Sequence, residues 1–191
     1  VSFRISKLSD MSNIQKVMKE FFQKMRPYAY GINDDTLEHV LGEKLRSKKL
    51  TIAVAESCTG GLIGKRLTDI TGSSDYFLGS ITVYSNKLKT SLLNISEKSL
   101  NTYGTVSEEI ALEMATNIRN KTKSDIGLST TGISGPEGGS KEKPVGLVYI
   151  GLATPVISTV KKYDFNFGRD IHREMTSTAA LNITRLSLEE E

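Results

Sequence analysis

The chain has 191 residues, of which 38% are hydrophobic and 25% are charged, a composition typical of a globular protein. Its 25 Lys and Arg against 22 Asp and Glu give a formal net charge of +3, too mild a balance to indicate nucleic acid as a partner. One cysteine excludes an internal disulfide framework, and two histidines far apart offer too few ligands for a zinc site, so we predict no metal and no cofactor.

The sequence also bears on where the protein acts. No apolar stretch approaches the roughly 20 residues that a membrane span needs. The first residues, VSFRISKLSD, lack a signal-peptide pattern. We therefore expect no membrane association and a cytoplasmic location.

Residues 1–33 are interpreted as a separate N-terminal segment. Alternation over residues 2–8 predicts a short strand, and the apolar spacing from Ile14 to Met25 predicts an amphipathic helix that Pro27 ends. These elements are too few to bury a core by themselves. We expect another subunit to cover the apolar face of this helix, so the protein is expected to be a homo-oligomer.

From residue 34 to residue 191, predicted strands and helices alternate, as in a layered α/β domain. The last two strands follow each other with only a short connection, so they are expected to pair antiparallel. We predict a layered α/β/α sandwich with a mixed, mostly parallel sheet. The predicted strands cover residues 50–55, 76–85, 125–133, 147–154 and 156–167, and the last helix covers about 170–188.

Three polar clusters follow predicted strands: AESCTGG at 55–61, YSNKLK at 84–89 and TTGISGPEGGS at 130–140. Ligands of open α/β sheets bind outside the carboxyl ends of the strands, so we expect the three clusters to converge on one pocket. The third cluster lacks the spacing of an ATP-binding loop, and spacing alone leaves phosphate binding and an ordinary mobile loop equally open.

Several side chains in these clusters are chemically suggestive. A desolvated Lys89 is suited to remove a proton from a serine such as Ser74, with Tyr84 as an assisting group, although most lysines are simply solvated. Cys58 is expected to be a buried packing residue, because no histidine stands near it in sequence to activate it. Ser57 and Thr59 are also suited to cap the helix that follows.

Taken together, three stretches resemble the CinA C-terminal domain family, which includes the nicotinamide-nucleotide amidases. They are AESCTGGLIGKRLTDITGSSDYFLGSITVYSNKLK, YGTVSEEIALEMA and STTGISGPEGGSKEKPVGLVYIGLA, in the order and spacing of that family. The resemblance covers the chain from about Asp34 onward. It makes residues 1–33 the remnant of the small domain that precedes this module in longer CinA proteins.

The resemblance implies hydrolysis of the carboxamide of nicotinamide mononucleotide (NMN), giving nicotinate mononucleotide and ammonia without a metal. It also implies an oligomer, a dimer or higher. An alternative from another class is a nucleotide-binding or interaction module of the competence-damage type that has lost amidase activity.

The resemblance also implies roles for individual residues. Ser74 would be the nucleophile, with Ser57 as its rival, Lys89 would be the general base assisted by Tyr84, and Thr131 would lie close to the reacting centre. Arg169 matches a phosphate-binding Gly-Asp-Arg element only in part, because no Asp stands between the Gly and the Arg. The predicted substrate-binding residues are Glu56, Thr59, Gly60, Gly61, Gly132, Gly135, Gly139 and Arg169.

Overall fold

A computed structural model describes residues 11–189, and the chain divides into two compact units, Val1–Thr36 and Leu37–Glu191. The described part of the first unit contains helix α1 (Met11–Lys24), none of whose residues is buried. The helix ends three residues before Pro27, as the sequence predicts. The strand predicted over residues 2–8 lies outside the described residues.

The second unit alternates helices and strands in the predicted order. Its helices are α2 (Leu37–Lys48), α3 (Leu62–Thr68), α4 (Asn86–Leu93), α5 (Glu97–Tyr103), α6 (Glu108–Thr122) and α7 (Arg169–Ser187). Its strands are β1 (Ile52–Glu56), β2 (Phe77–Thr82), β3 (Ile126–Gly132), β4 (Leu147–Ala153) and β5 (Ser158–Asp164). This succession confirms the predicted α/β class.

The five strands form one sheet in the order β2-β1-β3-β4-β5. Strand β1 pairs parallel with β2 and β3, whereas β4 pairs antiparallel with β3 and β5. The sheet is therefore mixed, as predicted, but it is half parallel rather than mostly parallel. The reason is that a loop without a helix joins β3 to β4, so the chain turns back beside the strand it has just left.

Side chains of β1 alternate between the two faces of the sheet, and each face carries its own core. Ile52 and Val54 pack with α2, α3 and α7 in one cluster. Ala53 and Ala55 pack with α4, α5 and α6 in the other. The domain is therefore a three-layer sandwich of helices, sheet and helices.

Glycine lets helix α6 approach the sheet closely. A Cβ atom on Gly127 of β3 would overlap the carbonyl oxygen of Ala115, and one on Gly151 of β4 would overlap that of Ala111. The hydroxyl of Ser129 donates to the Ala111 carbonyl in the same contact. This close packing fixes the distance of α6 from the sheet and thereby the position of the loop that precedes α6.

Candidate functional site

The carboxyl ends of β1, β2 and β3 lie side by side at one edge of the sheet. The Ser57 amide, just after β1, donates to the carbonyl of Thr130 at 3.1 Å, and the Val83 amide, just after β2, donates to the carbonyl of Glu56 at 2.8 Å. Two of the polar clusters predicted from the sequence follow these strand ends directly. The backbone thus brings them within a few ångströms of each other.

Lys89 of α4 points into this edge and is fully buried. Its ammonium nitrogen Nζ lies 3.1 Å from the hydroxyl oxygen of Ser57 and donates to the carbonyl of Val83 at 2.9 Å. No carboxylate of the described residues forms an ion pair with it. Burial therefore lowers the pKa of Lys89 from 10.5 to about 8. With such a pKa, part of the Lys89 population is the neutral amine near neutral pH, and a neutral amine is able to accept a proton.

Ser57 and Lys89 place a candidate nucleophile and a candidate base in hydrogen-bond contact. A serine hydroxyl is a weak nucleophile until a neighbouring base removes its proton. The neutral amine of Lys89 is placed to do this directly, and the α4 helix that carries it is held by its own cap. The Ser85 hydroxyl accepts from the Leu88 amide at 3.2 Å and sets where α4 begins.

Ser74, the favoured nucleophile in the sequence analysis, lies in a different place. It belongs to the short 3-10 turn Ser73–Asp75 just before β2, and its side chain is exposed. Lys89 follows the other end of β2, and a six-residue strand spans about 20 Å. The next residue, Asp75, is engaged with Arg46 at 3.2 Å. The structure therefore brings Ser57, and not Ser74, to the lysine.

Cys58 is buried and free, as the sequence analysis expected. Burial raises the pKa of its thiol to about 12, so the sulfur stays protonated at physiological pH. The thiol hydrogen-bonds to Thr130 and packs in the core cluster beside α3. Cys58 is thus a packing residue next to the nucleophile.

The side chain of Glu56 accepts hydrogen bonds from the backbone at the start of α3. Its buried carboxylate accepts from the amides of Gly61, Ile63 and Gly64 at 2.9–3.1 Å and from the Ser80 hydroxyl at 2.8 Å. These four donors occupy both oxygens, so Glu56 caps the amino end of α3 from the end of β1. Neither carboxylate oxygen is therefore left free for the predicted contact with substrate.

The segment between β1 and α3, which we call the serine loop (residues 57–61), turns through two glycines in the left-handed region. Gly60 has a φ of 62° and Gly61 a φ of 95°. The hydroxyl of Thr59 shares a hydrogen bond of 2.9 Å with that of Thr130. Among the described residues no acceptor receives the amide of Thr59, which makes this N–H a candidate donor to a ligand beside Ser57.

Thr131 and the glycines after it build the wall beside β3. The Thr131 hydroxyl is buried and donates to the Thr105 carbonyl at 2.8 Å, so it anchors the loop before α6. Gly132 ends β3, and Gly135 and Gly139 lie in the glycine-rich loop (residues 133–146). Hydrogen bonds between Ile133, Gly146 and Leu147 close the base of that loop.

Arg169, the first residue of α7, joins two of the clusters. Its guanidinium donates to the carbonyl of Gly135 at 2.9 Å and to the hydroxyl of Tyr84 at 3.1 Å. The hydrogen bond to Tyr84 raises the pKa of Arg169, which therefore stays charged. Tyr84 itself is exposed, and the partner of its hydroxyl is Arg169, not Lys89.

Two contacts of α7 were missed by the sequence analysis. Arg173 donates twice to the carbonyl of Thr59, with its Nη2 at 2.9 Å and its Nε at 3.3 Å. The buried His172 lies 2.9 Å from the hydroxyl of Ser134, and burial lowers the pKa of this histidine. The spacing of Arg169 and Arg173, one helical turn apart, is the signal that would have suggested a shared face.

Two further classes of site were sought over residues 11–189. No group of three or more metal-ligating side chains occurs there. None of the helices in that range has the length and apolar character required to cross a membrane.

Fold and site together define an α/β domain whose reactive side chains gather where its parallel strands end. The family model of the CinA C-terminal domain matches residues 34–188. The chain therefore belongs to the CinA C-terminal domain family, which includes amidase members.

Relatives and solved structures agree with this assignment. The chain is 46% identical over 171 residues to a putative competence-damage inducible protein of Halothermothrix orenii, covering 88% of this chain and 41% of that protein. It is 46% identical over 183 residues to a CinA-like protein of Prochlorococcus marinus, covering 94% and 43%. The chain thus spans about two fifths of the length of these curated relatives.

Solved structures share the fold over nearly their whole length. The competence/damage inducible protein CihA from Agrobacterium tumefaciens superposes with a TM-score of 0.75 at 32% identity, covering 83% of this chain and 99% of that one. A competence-damaged protein (CinA) superfamily protein from Escherichia coli gives a TM-score of 0.75 at 25% identity, covering 85% and 98%. This similarity supports the α/β fold independently of the motifs.

Proposed function

We propose that this chain hydrolyses the carboxamide of NMN to nicotinate mononucleotide and ammonia. The observation that carries the proposal is the buried Lys89 amine, 3.1 Å from the Ser57 hydroxyl. A serine beside a lysine of lowered pKa is an arrangement suited to amide hydrolysis without a metal. Membership of a family that includes amidases supports the same reaction class.

The reaction begins when Ser57 transfers its proton to Lys89 and its oxygen attacks the carboxamide carbon. The carbonyl oxygen gains the negative charge, and backbone amides of the serine loop, that of Thr59 among them, are the candidate donors that stabilise it. Lys89 then gives its proton to the departing nitrogen. The carbon–nitrogen bond breaks, ammonia leaves, and an ester on Ser57 remains.

Water completes the cycle through the same two residues. Lys89 takes a proton from a water molecule, whose oxygen attacks the ester carbon. The ester bond to Ser57 breaks, the serine regains its proton from Lys89, and nicotinate mononucleotide leaves. One amide bond and one water are consumed, and one carboxylic acid and one ammonia are formed, which become carboxylate and ammonium by transfer of the acid proton.

The phosphate of the substrate requires a positive group that is not neutralised by a carboxylate. Arg169 fits, because it contacts Tyr84 and Gly135 but forms no ion pair with any described carboxylate. Backbone amides of the glycine-rich loop are candidates to add further donors. We propose Arg169 as the phosphate-binding residue, and we propose a dimer or higher oligomer as the working form.

The test is ammonia release from NMN by the purified chain, with and without EDTA. We expect turnover that EDTA does not change and that Lys89→Ala abolishes while the circular dichroism spectrum is kept. Absence of ammonia under conditions in which a known amidase of the family is active would contradict the proposal. Calorimetric binding of NMN without hydrolysis would instead support the alternative, a nucleotide-binding module.

A further inference from the structure

For the proposed reaction, the serine loop must hold the hydroxyl of Ser57 in a fixed direction. The peptide that joins Thr59 to Gly60 is the weak point, because Gly60 has a φ of 62° and tolerates either sign of φ. Rotation of that peptide would break the hydrogen bond that its own N–H, the amide of Gly60, donates to the carbonyl of Ser57 at 3.2 Å, and would release the backbone of Ser57.

Two donors hold the carbonyl of this peptide in place. The guanidinium of Arg173 donates to the Thr59 oxygen from Nη2 at 2.9 Å and from Nε at 3.3 Å, and the amide of Leu62 donates to it at 3.3 Å. Arg173 is partly buried and forms no ion pair with a described carboxylate. Its charge is therefore directed onto this one carbonyl oxygen.

The amide of Gly60, in the same peptide, donates to the carbonyl of Ser57 at 3.2 Å and so links this peptide to the nucleophile. The remaining restraints act elsewhere along the serine loop. Glu56 holds the amides of Gly61, Ile63 and Gly64, which lie after the flexible peptide. The shared hydrogen bond between Thr59 and Thr130 holds a side chain and not the peptide plane. Arg173 is thus the side chain that fixes the direction of the Thr59–Gly60 peptide.

We propose that Arg173 is a positioning residue, which clamps the Thr59 carbonyl and, through the Gly60 amide of the same peptide, holds Ser57 in the position from which its hydroxyl attacks. The inference rests on the proposed role of Ser57 as the nucleophile. It places the effect of Arg173 in the transition state and not in substrate binding. Loss of the clamp should therefore lower kcat and leave KM nearly unchanged.

The experiment compares Arg173→Gln and Arg173→Lys with Arg66→Gln as a matched control. Arg66 of α3 also contacts α7, through Ser177 and Thr178, and contacts α2 through Glu38, but none of these hydrogen bonds involves the serine loop. We expect Arg173→Gln to lower kcat for NMN by roughly 10- to 100-fold with KM within about 2-fold. Arg173→Lys should recover only part of the lost activity. The ammonium restores the positive charge, but it lacks the planar fork with which a guanidinium donates twice.

A second readout does not depend on NMN. A fluorophosphonate probe forms a bond between Ser57 Oγ and phosphorus, fluoride leaves, and the serine proton passes to Lys89. The labelling rate reports the nucleophile and its amide donors alone. We expect Arg173→Gln to slow labelling of Ser57 by a factor similar to its loss of kcat, and Arg66→Gln to leave labelling unchanged.

The outcomes separate this inference from the proposed function. If the wild type labels at Ser57 but hydrolyses no NMN, slower labelling in Arg173→Gln still supports the clamp. A raised KM with unchanged kcat would overturn it by showing that Arg173 binds substrate. Equal effects of Arg173→Gln and Arg66→Gln, or no labelling of Ser57 in the wild type, would overturn it as well.

Discussion

At the scale of single residues, the position of Lys89 is the least expected feature of the site. Its helix α4 buries Lys89 and Leu93 and leaves Leu88 and Leu92 each 38% exposed. A hydrophobicity pattern alone would place the two exposed leucines inward and the lysine in solvent. Conflicts between local pattern and structure are expected at functional sites, and the burial of Lys89 is a conflict of this kind.

The lowered pKa of Lys89 predicts a pH dependence of the rate. Only the neutral amine accepts the serine proton, so kcat/KM should rise about tenfold per pH unit below about 8 and level off above it. The measurement is the rate of ammonia release from pH 6 to pH 10. Ser74→Ala, as a control, should give the same curve, and a flat profile in the wild type would contradict the role of Lys89.

The same pKa shift predicts a change in stability with pH. The unfolded chain keeps the Lys89 proton up to about pH 10.5, whereas the folded chain releases it near pH 8. The unfolded state thus binds more protons between these values, so the contribution of Lys89 to the free energy of unfolding rises from pH 8 to 10.5, by on the order of 3 kcal/mol.

Urea unfolding of the wild type and Lys89→Met at several pH values measures this contribution. The wild type should gain stability relative to the variant as pH increases from 8 to 10. Other groups titrate equally in both proteins, so the difference isolates Lys89. Parallel curves for the two proteins would show that the lysine is not desolvated.

At the scale of elements, the amino end of α3 explains why AESCTGG is rich in polar groups. The helix begins after Gly61, which has no side chain to cap it, and Glu56 at the end of β1 supplies the acceptor. Sequence rules look for a cap at the helix start itself. These rules therefore predicted Ser57 and Thr59 as the caps, whereas the family resemblance predicted Glu56 as a substrate-binding residue.

Glu56→Gln should reveal this capping role in stability. The amide side chain replaces one acceptor oxygen by a donor, which leaves buried N–H groups unpaired at a cost of about 2–4 kcal/mol. Ser107→Ala, which removes the ordinary cap of α6, should cost about 1 kcal/mol. The measurement is urea unfolding, and a loss for Glu56→Gln no larger than for Ser107→Ala would contradict it.

The order of helices and strands was predictable because the apolar runs are long and well separated. LTIAV contains the first three residues of the buried β1, which ends at Glu56 in the polar cluster that follows. The balance of parallel and antiparallel pairs was not predictable in the same way, since it depends on how the residue 133–146 connection folds. Pairing is a long-range property, and one sequence gives little information about it.

At the scale of the whole molecule, strand direction decides which serine meets the lysine. Ser74 is nearer to Lys89 in sequence than Ser57 is, but β2 carries the chain across the sheet between them. The parallel pairing of β1 and β2 returns Ser57 to the edge where α4 begins. Sequence distance was therefore misleading, and only the topology ranks the two serines.

The two compact units predict that the activity resides in residues 37–191. All members of both hydrophobic cores and all candidate site residues lie in that range. A chain that begins at Leu37 should fold cooperatively and keep kcat for NMN within about 3-fold, because helix α1 buries no residue. A truncated chain with a native circular dichroism spectrum and no turnover would contradict this expectation.

The pairing of Ser57 with Lys89 is tested most directly by the rate of nicotinate mononucleotide formation in four proteins. These are the wild type, Ser57→Ala, Lys89→Met and Ser74→Ala. We expect Ser57→Ala and Lys89→Met each to lose at least about 10³-fold in kcat, because the two residues act as a unit. Ser74→Ala should stay within about 2-fold of the wild type. Loss of activity in Ser74→Ala together with its retention in Ser57→Ala would contradict the proposed mechanism.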